Sequence, residues 1–237
     1  MSFRKPTTLT AIVGVAVLLT GSLNGGTAVA NHRPCPNSKV VVALSQPEDC
    51  EIACTGAIDA ISFLEINGLR LAGPIHIHPM GRIPEGVSAD ALGYFDSRTV
   101  RIHVKNFSAP QEAVQGLGIL GLPMDRDLYR SLVVHEVAHL IAIHNFTMES
   151  PSRVAQEYIA YVTQLATMPP GLRDRILTIF PGEGFRTSTH INSLIYMISP
   201  EKFAVGAYRH FVRAENGAAF FRRLLTGKIQ LGRELMP

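Results

Sequence analysis

The chain lacks an excess of charge of either sign. Its 237 residues carry 22 Lys and Arg against 19 Asp and Glu, a formal +3. The first 30 residues hold two of the basic side chains, Arg4 and Lys5, and none of the acidic ones, so the remainder stands at +1. A near-neutral chain gives no electrostatic case for a nucleic acid or an anionic membrane surface as partner. Cysteine is scarce. Cys35, Cys50 and Cys54 are the only three, and without a second paired cluster they do not make a cysteine zinc site. Long apolar runs are missing too: Leu9 to Leu19 falls short of the ~20 residues that span a bilayer. No internal repeat and no low-complexity stretch occurs, and residues 31–237 suit a single domain.

The short apolar run follows Arg4 and Lys5 and ends at Ala28-Val29-Ala30, the layout of a cleaved secretory signal over residues 1–30. The expectation is an exported protein, periplasmic or secreted, with no stable membrane insertion after cleavage. Export places the cysteines in an oxidising compartment, where a pair should be bridged. Cys50 and Cys54 are four apart on a probable helix, an awkward spacing for a bond between them, so Cys35 should pair with one or the other.

What is present is concentrated between Tyr129 and His144, where YRSLVVHEVAHLIAIH holds the pattern H-E-x-x-H. Neither Pro nor Gly interrupts residues 125–144, so a helix is expected, and His135 and His139 then lie one turn apart on one face, able to reach one metal ion. Glu136 sits beside the first, placed to take a proton from water at that metal. The segment is apolar nearly all round and reads as buried, and buried imidazoles and carboxylates need partners. A catalytic zinc takes a third protein ligand. Glu157 is the candidate, with 17 residues between it and His139, enough for the chain to turn back. His144 is the rival, but five helical steps rotate it off the His135/His139 face.

Elsewhere the pattern is mixed. Asn31 to Ser38 reads as an extended lead-in, Lys39–Leu44 as a strand, and Glu48–Asn67 as a helix stopped by Asn67-Gly68. Ile75–His78 and Val100–Val104 alternate as strands, with a turn at Gly93-Tyr-Phe-Asp96-Ser between them. Their His76, His78 and His103 share one sheet face, facing solvent or lining a cleft, with a second metal site as the sharper alternative. Pro110–Pro123 reads as a loop, and Asp125 or Asp127 as the cap of the motif helix. Arg153–Thr167 is a helix ended by Pro169-Pro170-Gly171, and further helices are expected near Leu172–Ile179, Thr187–Ile198, Glu201–Arg213 and Gly217–Leu225. Tyr208 and His210, in AYRHF, are candidate donors to a developing oxyanion, against a packed Tyr and a surface His.

The order of helix, short strands, HEVAH helix and glutamate-bearing helix resembles the catalytic core of the gluzincin metallopeptidases. The resemblance covers about residues 48–167, with LGYFDSRTVRIHV (Leu92–Val104), HEVAH and PSRVAQEYIAY (Pro151–Tyr161) as its pieces. The whole chain is also similar to an uncharacterised group of exported bacterial proteins that share the HEVAH…EYIAY pattern. The resemblance implies an α+β, zincin-like fold with 48–167 as catalytic core and 168–237 as a helical C-terminal part. It implies Zn2+ held by His135, His139 and Glu157, Glu136 as general base, and a peptide or protein substrate lying along Thr99–Val104 as an edge strand. The third segment departs from the family's E-G-x-A-E/D-Y. Tyr158 replaces the glycine, and Tyr161 stands where relatives carry an acid that accepts a hydrogen bond from a ligating histidine. A catalytically weak or inactive zinc-binding module that holds peptides in the cell envelope is therefore the second expectation, and an envelope protein of structural role the third.

Overall fold

A computed structural model describes residues 32–85, 87–88, 90–108 and 118–232; the expected signal at 1–30 lies outside them. The fold is α+β, and among the described residues it has seven α-helices and a small mixed sheet.

Five short strands make the main sheet: β1 (Arg33–Pro34), β2 (Val40–Val42), β3 (Ile75–Pro79), β4 (Gly93–Asp96) and β5 (Arg101–Val104), in the order β1-β2-β3-β5-β4. β2, β3 and β5 run parallel, while β1 and β4 flank them antiparallel. Alternation sorts their side chains. Val40, Val42, Ile75, Ile77, Ile102 and Val104 are fully buried, and His76, His78 and His103 point to the other, half-open face.

Four expectations change here. GYFD is a strand rather than a turn: it pairs with β5, Tyr94 opposite His103 and Phe95 opposite Ile102, and the reversal falls in residues 97–100. Gly93 and Asp96 are turn formers by composition, but the backbone hydrogen bonds of β5 claim the segment. As a result Thr99–Val104 is not the edge. β5 is sandwiched between β3 and β4, and β4 is the edge strand on that side, with β1 at the far edge. The lead-in likewise becomes β1, through pairing with β2. The segment 118–123 of the expected loop forms a minimal hairpin, β6 (Gly118–Ile119) and β7 (Leu122–Pro123), and 109–117 lie outside the described residues.

The buried sheet face packs into one core with α1 (Pro47–Ile66) and α2 (Arg126–Asn145), the HEVAH helix. α1 turns Ala53, Gly56, Ala57 and Ala60 inward, all buried. Such small residues let two helix backbones approach closely. A Cβ built on Gly56 would stand 2.7 Å from the Arg130 carbonyl oxygen of α2. Gly56→Ala is therefore expected to destabilise the fold by about 1–3 kcal/mol through overpacking, as a lower urea midpoint with an unchanged slope will report. α2 is buried along most of its length, as its apolar circumference requires, and Asp125 caps it by accepting from the Leu128 N–H at 2.8 Å.

α3 (Arg153–Thr167) opens with Ser152 accepting from the Ala155 N–H and packs against α2. The chain then continues through α4 (Pro170–Ile179), α5 (Ser193–Ile198), α6 (Pro200–Phe211) and α7 (Gly217–Leu225). Pro170 begins α4 rather than merely ending α3, since a proline costs nothing in a first helical turn. The helix expected over Thr187–Ile198 splits into a 3-10 turn at Ser188–His190 and α5, which Asn192 caps by accepting from the Ile195 N–H. Cys35 and Cys54 form the disulfide and tie the lead-in to α1. Cys50, one turn earlier, faces inward to the Leu44 carbonyl and stays a buried thiol. No helix of the described residues is long and apolar enough to cross a membrane.

Candidate metal centre

The α2 spacing places His135 and His139 on one face, and α3 returns with Glu157 opposite them. The imidazole Nε2 atoms are 3.0 Å apart, and Glu157 Oε2 lies 3.5 Å from His135 Nε2 and 3.7 Å from His139 Nε2. Donors bound at about 2.1 Å to one tetrahedral ion stand roughly 3.4 Å from each other. The triangle has the size of one face of such a polyhedron. Among the described residues this is the one group of three His, Cys, Asp or Glu ligand atoms that lie within 4.8 Å of one another. The three side chains can hold a metal ion, and being two imidazoles and a carboxylate they fit a late first-row divalent cation. His144 turns away: its Nδ1 donates to the Leu140 carbonyl of its own helix at 2.8 Å.

The orientation of His135 is set by a relay through α3. Ser131 donates its hydroxyl proton to the Leu128 carbonyl at 2.7 Å, so its oxygen is left to accept. Gln164 Nε2 donates to it at 3.1 Å, which turns Gln164 Oε1 toward His135 Nδ1, also at 3.1 Å. An amide oxygen only accepts, so Nδ1 carries the proton and Nε2 presents its lone pair to the metal. Tyr161 does not hold this position; its ring packs edge-on against His135 at 4.5 Å between centroids. Gln164→Leu is expected to weaken affinity for a divalent metal ion about 10–100-fold, while Gln164→Glu, which keeps an acceptor, should retain most of it; competition with a chromophoric chelator will measure both.

Glu157 is held from its other oxygen. Oε1 accepts from the Tyr196 hydroxyl at 2.9 Å, and Arg153 Nε stands 3.6 Å from it. Tyr196 in turn accepts from Arg153 at 3.2 Å. Burial alone would raise the Glu157 pKa, but the two imidazoles and the tyrosine hydroxyl bring it down to about 2. Burial also lowers His139, to about 4. In His135 burial is outweighed by the Glu157 carboxylate, with Glu136 and Gln164 assisting, and the pKa rises. The Glu157 carboxylate thus favours positive charge between the two imidazoles, whether a proton or a cation.

Glu136 is 6% exposed. Burial pushes its pKa up to about 7, with the Glu157 charge adding to the effect and His135 and the Phe95 N–H working against it. The edge strand comes close here because Gly93 has no side chain: a Cβ would meet Glu136 Cγ at 3.2 Å. A carboxyl group balanced near neutrality exchanges protons readily. The triad and Glu136 open onto a cleft of about 930 Å³, whose walls include Gly93–Phe95 of β4, Arg153, Tyr161, Tyr196 and Glu201.

Neither oxyanion candidate reaches this cleft. His210 is buried, hydrogen-bonded to the Tyr158 hydroxyl at 2.7 Å and packed on Phe220, so it is a core histidine rather than a surface one. Tyr208 stacks under the Arg173 guanidinium at 5.6 Å. The residues that the sequence did not single out are Tyr196, Gln164 and Arg153. Gln164 had a signal, since 157, 161 and 164 share one helical face; Tyr196 had none, being 39 residues from Glu157.

A family model described as "Family of unknown function (DUF6639)" matches residues 40–234, which takes in the whole site. No curated protein and no solved structure matches the chain.

Proposed function

The chain belongs to this family of unknown function, and from its site we propose that it is an exported, zincin-type zinc metallopeptidase. What supports the reading above all is the convergence of His135, His139 and Glu157 on one point, with Glu136 beside it at the floor of an open cleft. Zinc at this site supplies a Lewis acid that lowers the pKa of water and polarises a carbonyl oxygen. Glu136 takes the proton of the attacking water and returns it to the leaving amine, a role for which a pKa of about 7 is suited. Gln164 keeps the His135 tautomer, and Tyr196 keeps Glu157 turned so that one oxygen faces the imidazoles. The substrate lies extended against β4, the edge strand that borders the cleft, and adds itself by backbone hydrogen bonds. The Cys35–Cys54 disulfide agrees with an oxidising compartment.

The test is metal content and turnover together. The purified chain should hold one tightly bound equivalent of zinc at pH 7.5, whatever it binds more weakly, and hydrolyse members of a quenched-fluorescent peptide library. Imidazoles ligate when neutral, and His135, with its raised pKa, is where protons compete first; affinity should therefore already be falling above pH 6.5 and go on falling toward 5. Less than a tenth of an equivalent after reconstitution overturns the proposal. Zinc without turnover of any peptide leaves the peptide-binding module, a reading favoured by the neutral Gln164 where a carboxylate would polarise His135 more strongly.

A further inference from the structure

The outer face of the sheet carries a second gathering of imidazoles, away from the triad. His76 and His78 alternate along β3, and His78 is in register with His103 on β5, which is in register with Tyr94 on β4. His78 is the hub. Its ring centroid stands 6.4 Å from His76, 5.8 Å from His103 and 6.1 Å from His32. Tyr94 stacks on His103 at 4.9 Å and 15° and backs its ring.

We propose that His76, His78 and His103 form a second metal site, for a late divalent transition metal such as Zn2+, Ni2+ or Cu2+. Two histidines at i and i+2 of a strand, with a third directly across on its neighbour, bring three nitrogen donors to one side of a sheet. Three imidazoles with open positions for water are a known zinc set, and imidazole selects late transition metals over Mg2+ and Ca2+. The Pro79 carbonyl lies 3.5 Å from His103 Nδ1. A carbonyl only accepts, so this long contact favours the tautomer whose Nε2 is free to ligate. Burial, with Arg101 and the other three imidazoles adding to it, lowers the pKa of His78 and keeps it toward the neutral form in which an imidazole can ligate, while the Arg101 charge weakens the hold on a cation.

The rings close onto the ion by side-chain rotation. Centroids in the compact His135/His139 pair are 4.7 Å apart, closer than either outer pair. His76, His78 and His103 are all half-open on this face, so the turn needs no repacking of the core. The second site should therefore be weaker than the first.

Calorimetric titration of the chelator-treated full chain with zinc chloride tests it without reference to turnover. The chain should bind two equivalents of unequal affinity. His78→Gln with His103→Gln should abolish the weaker equivalent and leave the tighter one, whose presence also certifies the fold. His139→Ala should do the reverse, so the second site stands or falls independently of the first. Cu2+ loaded into His139→Ala should show nitrogen hyperfine structure in electron paramagnetic resonance, lost on adding the two Gln substitutions. A wild-type titration from which the double substitution removes no equivalent overturns the proposal, and any weaker equivalent that survives it is adventitious binding only.

Discussion

Replacing Glu136 by Gln should leave the fold and the zinc in place and reduce peptide hydrolysis by roughly 10²–10⁴-fold, the usual contribution of a positioned base. Gln is close in size, so the close packing of residue 136 beneath the side-chain-free Gly93 survives. The three ligands are untouched, so metal content at pH 7.5 should stay at the wild-type level. What disappears is a carboxyl group beside the triad whose pKa is pushed to about 7. The loss should fall on kcat rather than KM, because the base acts on the reacting water and not on substrate binding. Hydrolysis at near wild-type rate in a protein that holds zinc would show that another group is the base.

Glu157→Ala should lose zinc steeply, while His144→Ala should keep it. The carboxylate supplies the third corner of the donor triangle through Oε2, whereas His144 is bonded to its own helix. Removing Glu157 also leaves two imidazoles 3.0 Å apart without the anion that balances a proton or a cation between them. The effect on stability of the metal-free chain has a definite sign. Glu157 is lowered to about 2 from an unfolded value of about 4.3, so it stabilises the fold above that value, and the contribution is lost as pH falls through 2. Wild type and Glu157→Ala should accordingly differ most in denaturant midpoint at neutral pH and converge in strong acid. Retention of zinc by Glu157→Ala and its loss from His144→Ala would remove the gluzincin-type ligand set altogether.

The parts of this site that were legible in the sequence are those written in short-range periodicity. The spacing of His135, Glu136 and His139 on an uninterrupted apolar segment carries its own geometry, and α2 is buried as that segment implies. Glu157 was legible because the chain between it and His139 has room for one turn. The rest depended on pairing between elements distant in the chain. GYFD has the composition of a turn and became the edge strand through hydrogen bonds with β5. Which cysteine meets Cys35 was decided by the direction each faces on α1, and Cys54 is the one that meets it. Tyr196 reaches Glu157 only because α5 folds back over α3, which no spacing announces. Tyr208 and His210 shared a motif-like string, yet the periodicity of α6 sends them to the core and to Arg173 instead.

The three ligands all fall between positions 135 and 157 on two consecutive helices. Closing so short a loop costs little chain entropy, so the donors can meet early in folding, before the longer-range sheet pairings and the C-terminal helices are in place. Metal captured at that stage stabilises the helix pair that holds it. Tyr196 comes from α5, farther along the chain, and fastens the free oxygen of Glu157. The donors and the hydroxyl that steadies them are thus drawn from different stretches of sequence, a local hairpin of helices and the C-terminal half.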